Sequence, residues 1–383
     1  MPGNNPRILI LTHCFPAKRS DIPGNFLADL TKELSSKGAS VTVMTQKMNS
    51  EPDAEFLSGS GAEIKYFGWM GGKERFAGIR LYSPKDIISV ISLILKGRKS
   101  FKRLIKKIKP DLVLNCWIIP SGLWSLSPKK KNNFAVWALG SDISIYGKKP
   151  MIRPVIKYIL SRSGFIYTNS MAIQRDINGI FGIKSSLLYT SRKLPSTDKI
   201  YQKSKITNFI FIGRLEKIKG PDLLLNALLQ SGIRNYSLKI IGEGSMQTEL
   251  RDFVRSNNME DKIKFLGNRD AHSIAGHLTV SDYLVISSLK ESMPVVFWEA
   301  MQTSTPVLST DVGDIKKYCD EFNVGRVCDT DIRSLSELLY FAHNFTSLRD
   351  VLSKNTSKPG KMADITRSAK ILFDIACNKD HNV

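Results

Sequence analysis

The chain has no run of apolar residues long enough to cross a bilayer. Its best stretch, residues 87–95, is about half of the ~18 residues required and is interrupted by serines. Residues 7–11 are too few for the apolar part of a secretion signal and lead into a charged segment. Cysteine is scarce and scattered: the five, at positions 14, 116, 319, 328 and 377, make no CxxC spacing. They read as reduced thiols of a cytoplasmic protein, not as a disulfide framework. The five histidines form no metal-ligand pattern with them, so no metal is expected. There is no GxGxxG fingerprint, which argues against an NAD-dependent enzyme. Acidic residues are few in one half only. Residues 1–200 carry 32 Lys and Arg against 13 Asp and Glu, whereas residues 201–383 carry 24 against 22, so nearly all of the formal charge of +21 lies in the first half. Such an excess suits nucleic acid, an acidic membrane surface or an anionic substrate.

What is present reads as a two-domain α/β protein. A length of 383 residues with 42% hydrophobic residues supports two cores. Short apolar runs at 7–12, 41–45, 64–69, 111–117, 134–139, 164–169 and 186–190 read as strands of the first domain, with glycine-rich turns around the third. A second set falls at 208–213, 238–241, 263–266, 282–288, 306–310 and 325–328. Residues 191–207 are polar without periodicity and suit a linker, which places domains at 1–195 and 205–355. Residues 335–345 and about 364–383 read as helical. The 7–45 stretch makes a βαβ unit, in which Gly24 precedes a helix carrying Phe26, Leu27, Leu30 and Leu34 on one face.

The most informative stretch is KESMPVVFWEAM, residues 290–301. Glu291 falls on the loop leaving an apolar strand and Glu299 on the helix that follows, at the carboxyl end of a parallel sheet where open α/β folds bind ligands. Glu299 lies among Phe297, Trp298, Ala300 and Met301, a poor place for a decorative carboxylate. A helix starting near Pro294 aims backbone N–H groups at the same crevice, which suits phosphate. Upstream, the strand 208–213 ends in Gly213-Arg214-Leu215 and continues to Lys219-Gly220 before a helix begins at Pro221. Gly242-Glu243-Gly244 and Gly267-Asn268-Arg269 end the next two strands. In the first half, Gly140-Ser141-Asp142 ends a strand, and residues 98–108 form a basic helix. Arg98, Lys99, Lys102, Arg103, Lys106 and Lys107 lie on one face of it, with Phe101, Leu104, Ile105 and Ile108 on the other. That face reads as an element attracted to anionic lipid. No aromatic platform or nucleic-acid module accompanies the charge, so nucleic acid is not expected as a partner. Asp329-Thr330-Asp331 reads as a turn.

The spacing Glu291, seven residues, Glu299-Ala300-Met301, with Thr305-Pro306-Val307 and the Arg214–Gly220 segment, resembles the retaining glycosyltransferases of family 4, which have the GT-B fold. The resemblance is specific over residues 208–315 and loose over 1–190. It implies two Rossmann-like, doubly wound parallel-sheet domains facing across a cleft, the first for the acceptor and the second for a nucleotide-diphosphate sugar. By the same resemblance Glu299 holds the ribose, and Arg214 and Lys219 hold the diphosphate. Glu291 with the backbone of Ser292, Met293, Pro294 and Val295 holds the sugar. Asn268 and Arg269 lie by the base, Gly242 and Gly24 by the donor, and Asp142 by sugar or acceptor. Leu139 stands where relatives often carry a histidine. The implied activity is metal-independent, retaining hexosyl transfer to a glycan or lipid-linked acceptor in surface polysaccharide assembly, on the inner face of the membrane and with no cofactor. A nucleotide-sugar epimerase of related fold, or an inactive basic membrane- or polyanion-binding protein, are the alternatives.

Overall fold

The computed structural model describes all residues except 1–4, 20, 22–23, 48–51, 72–82, 346 and 379–383. The glycine-rich turns expected after the third strand lie partly outside the described residues. The chain divides into two units, residues 1–190 with 365–383, and residues 191–364.

The first unit is built on seven parallel strands: β1 (Arg7–Leu11), β2 (Ser40–Gln46), β3 (Ala62–Phe67), β4 (Leu112–Cys116), β5 (Lys131–Ala138), β6 (Ser163–Thr168) and β7 (Ser186–Leu187), in the order β3-β2-β1-β4-β5-β6-β7. Both faces of the sheet are covered, which is why the strands read as continuous apolar runs and not as alternations. One set of side chains, Ile8, Ile10, Val41, Val43, Leu112 and Leu114, packs with helices Asn25–Ser36 and Ile365–Cys377. The set between them, including Leu9, Leu11 and Val113, packs with helix Pro84–Ile108 and Trp124. The strand order reverses between β1 and β4, the position where open sheets of this kind bind ligands.

Helix Pro84–Ile108 corrects one expectation. The apolar stretch 87–95 and the basic stretch after it are a single helix, started by Ser83 as N-cap and Pro84 in its first turn. Gly97 lies inside it because a Cβ there would come within 2.5 Å of the Trp124 ring nitrogen. Arg98 does not join the outward basic face. Its guanidinium donates to the main-chain carbonyls of Leu123 (3.4 Å) and Leu126 (2.9 Å), which ties the helix to the segment after β4.

The second unit has six parallel strands: β8 (Thr207–Ile212), β9 (Tyr236–Ile241), β10 (Ile263–Gly267), β11 (Tyr283–Ile286), β12 (Val307–Thr310) and β13 (Gly325–Cys328), ordered β10-β9-β8-β11-β12-β13. Here the reversal lies between β8 and β11. The core on one face joins Phe209, Phe211, Leu238, Ile240, Tyr283 and Val285 to helices Pro221–Ser231 and Ile332–Asn344. Asp331 caps the second of these helices by accepting from the Ser334 N–H at 2.8 Å, so the DTD triplet is a helix start.

Candidate active site

A parallel sheet brings the loops that leave its strands to one edge. Four of them in the second unit carry the residues singled out from sequence. After β8 the chain makes a single 3-10 turn, Lys217–Lys219, and enters helix Pro221–Ser231 through Gly220. Gly220 has φ 61°, and a Cβ there would lie 2.0 Å from the Ser287 carbonyl oxygen. The Ser287 hydroxyl donates back to the Gly220 carbonyl at 2.7 Å, and Leu289 N–H bonds the Ile218 carbonyl at 2.9 Å. The loops after β8 and β11 are thereby stitched together at the switch point. Lys219 and Glu291, one on each loop, form an ion pair, and the Ser288 hydroxyl donates to the same Glu291 oxygen at 3.2 Å. Arg214 stands exposed at the end of β8, beside Glu216. Two hydrogen bonds from Ser245 hold the Glu216 carboxyl below its usual range and join this loop to the one after β9.

The Glu291–Val295 backbone is shaped from the other side by Gly313. At φ 60°, a Cβ on this residue would lie 2.1 Å from the Ser292 carbonyl oxygen. Met293 and Pro294 are buried, and helix Val295–Gln302 starts with Val295 and Val296 half-buried. Helix Val295–Gln302 follows β11, whose neighbour β8 leads to Arg214 and Lys219, so a helix N-terminus with its partial positive charge falls at the same sheet edge as these cations. Gly242 (φ 134°) could carry no side chain, since a Cβ would meet the Gly213 carbonyl oxygen at 1.9 Å. Asn268 is pinned to Glu243, its side-chain amide donating at 3.1 Å, and Arg269 is exposed and bonds the Asn268 carbonyl. Glu243 was not singled out from sequence, and the lone Gly-x-Gly around it was the only available signal.

Glu299 is 4% exposed and faces Arg192, itself 8% exposed, with 3.5 Å between Arg192 Nη1 and Glu299 Oε1. Gln302 fixes the segment bearing that arginine. Its side-chain amide donates to the Arg192 carbonyl at 2.7 Å, and its carbonyl oxygen accepts from Leu194 N–H at 3.0 Å. The first residues of the polar stretch read as a linker are therefore built into the site. Arg192 and Gln302 were missed because no local pattern joins residues more than a hundred positions apart.

The two remaining candidates lie in the first unit. Gly24 (φ 77°) precedes helix Asn25–Ser36, and a Cβ there would lie 2.1 Å from the Cys14 carbonyl oxygen, so it sets the approach of the loop after β1. Asp142 is 1% exposed. Its carboxylate accepts from the N–H groups of Ile118 (2.9 Å), Gly140 (3.0 Å) and Leu139 (3.4 Å). Burial pushes its carboxyl up to about 6 against the pull of those bonds. The expectation that Asp142 touches sugar or acceptor is thus corrected: its oxygens are turned inward and tie two loops together.

A family model described as Glycosyl transferase 4-like matches residues 24–170, and one described as Glycosyl transferases group 1 matches residues 196–358. The chain is 24% identical over 268 residues to an uncharacterized glycosyltransferase of Methanocaldococcus jannaschii, covering 69% of this chain and 74% of that one. Among solved structures it is similar to WaaG, a glycosyltransferase involved in lipopolysaccharide biosynthesis (TM-score 0.66, 14% identity, 96% of this chain and 99% of that one). It is similar also to Staphylococcus aureus TarM in complex with fondaparinux, alpha-GlcNAc-glycerol and UDP (TM-score 0.72, 12% identity, 97% and 100%). The two matching models fall one on each parallel-sheet unit, the solved neighbours share the fold across the whole length, and the chain is a GT-B glycosyltransferase of the group 1 and 4-like families.

Proposed function

We propose that this glycosyltransferase takes a nucleoside-diphosphate sugar on its second unit. We propose further that it transfers the sugar, with retention and without a metal, to a glycan or lipid-linked acceptor received by its first unit. The observation that carries the reading is the Lys219–Glu291 pair at the switch point, with Arg214 and the start of helix Val295–Gln302 on the same edge. A departing nucleoside diphosphate bears two or more negative charges. Lys219, Arg214 and the helix N–H groups supply the compensating charge, and Glu291, released from Lys219 as the diphosphate arrives, is free to accept sugar hydroxyls. Loss of one such stabilising contact typically costs ~3 kcal/mol of barrier. Glu299, held by Arg192, presents a carboxylate for ribose. The UDP in the TarM complex supports the donor class.

The acceptor reading draws on the first unit. On helix Pro84–Ile108, Ile88, Ile91 and Leu95 are 50%, 50% and 63% exposed. At 3.6 residues per turn they continue along one side into Lys99, Lys102 and Lys106, all exposed. Aliphatic residues beside lysines match an anionic bilayer surface, with Arg103 and Lys107 flanking. That supports peripheral attachment on the inner face of the membrane and a role in surface polysaccharide assembly, and WaaG, which shares the fold, is described as involved in lipopolysaccharide biosynthesis. Epimerase activity would appear as free epimer released without transfer.

A thermal-shift panel with UDP, GDP and ADP, wild type beside Glu299→Ala, tests the donor site. At ~100 times its dissociation constant the right nucleotide stabilises by about 2.7 kcal/mol. A shift with one of them that weakens in the variant is the expected result, and no shift with any removes the donor assignment.

A further inference from the structure

The first unit has a switch point of its own, between β1 and β4. Just beyond the ends of these two strands lie His13 and Trp117, whose rings meet edge to face at 4.7 Å. Trp117 differs from the other four tryptophans. Trp69 is 8% exposed and Trp124, Trp137 and Trp298 are 0% exposed, whereas Trp117 is partly exposed. Its backbone also stands at φ 65°, in the left-handed region that a bulky side chain rarely adopts. Such positions persist only where the surroundings enforce them, and they concentrate at ligand sites.

The surroundings here do enforce it. The Trp117 N–H donates to the Trp137 carbonyl at 3.0 Å, its carbonyl accepts from the Ser121 hydroxyl, and the next N–H, of Ile118, is taken by the buried Asp142 carboxylate at 2.9 Å. The same carboxylate holds Leu139 and Gly140, so the loops after β4 and β5 are locked to each other. This gives Asp142 a purpose: a buried charge is spent on fixing the turn that presents Trp117. The Phe26 ring lies 6.4 Å from the indole, and Phe15 and Leu139 are partly buried apolar residues packed on the same core as Trp117. A rigid indole with aliphatic and aromatic neighbours at a switch point offers an apolar face bordered by polar loop ends. That combination suits the C–H face of a sugar ring better than an anionic group.

We propose that Trp117 is the platform on which an uncharged pyranose ring of the acceptor stacks, with Asp142 positioning it. The proposal rests on the reading in which the first unit receives the acceptor, and it gives that acceptor a chemical class.

The test uses the whole chain and intrinsic fluorescence. Acrylamide reaches Trp117 and leaves the four buried indoles largely untouched, so the quenchable fraction reports this residue. The probes are the methyl α-glycosides of glucose, galactose, mannose and N-acetylglucosamine, each titrated to the 100 mM range. At least one should shield the quenchable fraction saturably, by about twofold or more in the quenching constant. In Trp117→Phe, which keeps an aromatic ring in place, both the quenchable fraction and the response to the glycoside should disappear. A response of equal size in Trp117→Phe would place the sugar elsewhere, and no shielding by any of the four would overturn the platform. Failure of the donor reading would show separately, as absence of the nucleoside-diphosphate thermal shift, which does not involve Trp117.

Discussion

Replacing Arg192 by methionine should destabilise the second unit far more than a surface arginine would. The guanidinium lies 3.5 Å from the Glu299 carboxylate, and both side chains are 9% exposed or less. At an effective dielectric constant near 20 that separation corresponds to about 5 kcal/mol of attraction, most of which offsets the cost of taking the two ions out of water. Removing one partner leaves the desolvation cost of the other in place, so the loss should be about 3–5 kcal/mol. Hydrogen exchange measured by mass spectrometry on the peptide holding Val295–Gln302 reads this loss in the relevant unit. The double variant Arg192→Met with Glu299→Leu should recover most of the protection, because well-packed apolar groups replace a buried ion pair at little or no cost. It should recover no nucleotide thermal shift, because the carboxylate proposed to hold the ribose is gone. Wild-type protection in Arg192→Met, or a double variant no better than the single one, would refute the pair as a structural element.

Other outcomes follow from the same geometry. Lys219→Ala and Arg214→Ala should each lower turnover by roughly a hundredfold or more with the protein still folded, and near-normal rates in a transfer assay would break the diphosphate assignment. Gly220→Ala should reduce both thermal stability and nucleotide binding, because the added Cβ falls 2.0 Å from the Ser287 carbonyl oxygen at φ 61°; unchanged melting would contradict that contact. The Asp142 carboxyl is raised to about 6 by burial. Its contribution to stability is therefore full below the ordinary carboxylate range and is lost as the pH rises through about 6. The melting-temperature gap between wild type and Asp142→Asn should shrink from pH 4.5 to 7.5, and a gap that widens with pH would show the ionised form to be the favoured one. Neutralising Lys102, Arg103, Lys106 and Lys107 should weaken cosedimentation with phosphatidylserine vesicles by roughly 1 kcal/mol per charge, while Arg98→Gln should lower stability instead; the reverse pattern would overturn the account of that helix.

Much of this was readable in the sequence because a parallel sheet converts order along the chain into position in space. Apolar runs such as those at 208–213 and 282–288 had to be strands buried on both faces, and whatever followed them had to emerge at one edge. Lys219 and Glu291, 72 positions apart, could therefore be assigned to one crevice, and the structure makes them an ion pair. Polarity, in contrast, does not reveal which way a side chain turns. Arg98 and Asp142 carry the charges expected of a lipid contact and a sugar contact. Both are consumed by backbone groups: Arg98 by carbonyls 25 and 28 residues away, Asp142 by the N–H of Ile118, 24 residues away. Their partners are main-chain atoms, which every residue possesses, so no side-chain pattern announces them. Arg192 failed for the complementary reason. It lies in a polar segment that looks like a linker, and the carboxylate that it meets, that of Glu299, is 107 residues on. The surplus charge of the first half shows the same division. Its sign and location are properties of the sequence, but which cations face outward depends on the carbonyls and carboxylates that the fold brings within reach of each. Lys99, Lys102 and Lys106 keep their charge on the surface because helix Pro84–Ile108 turns Leu93 and Phe101 inward instead.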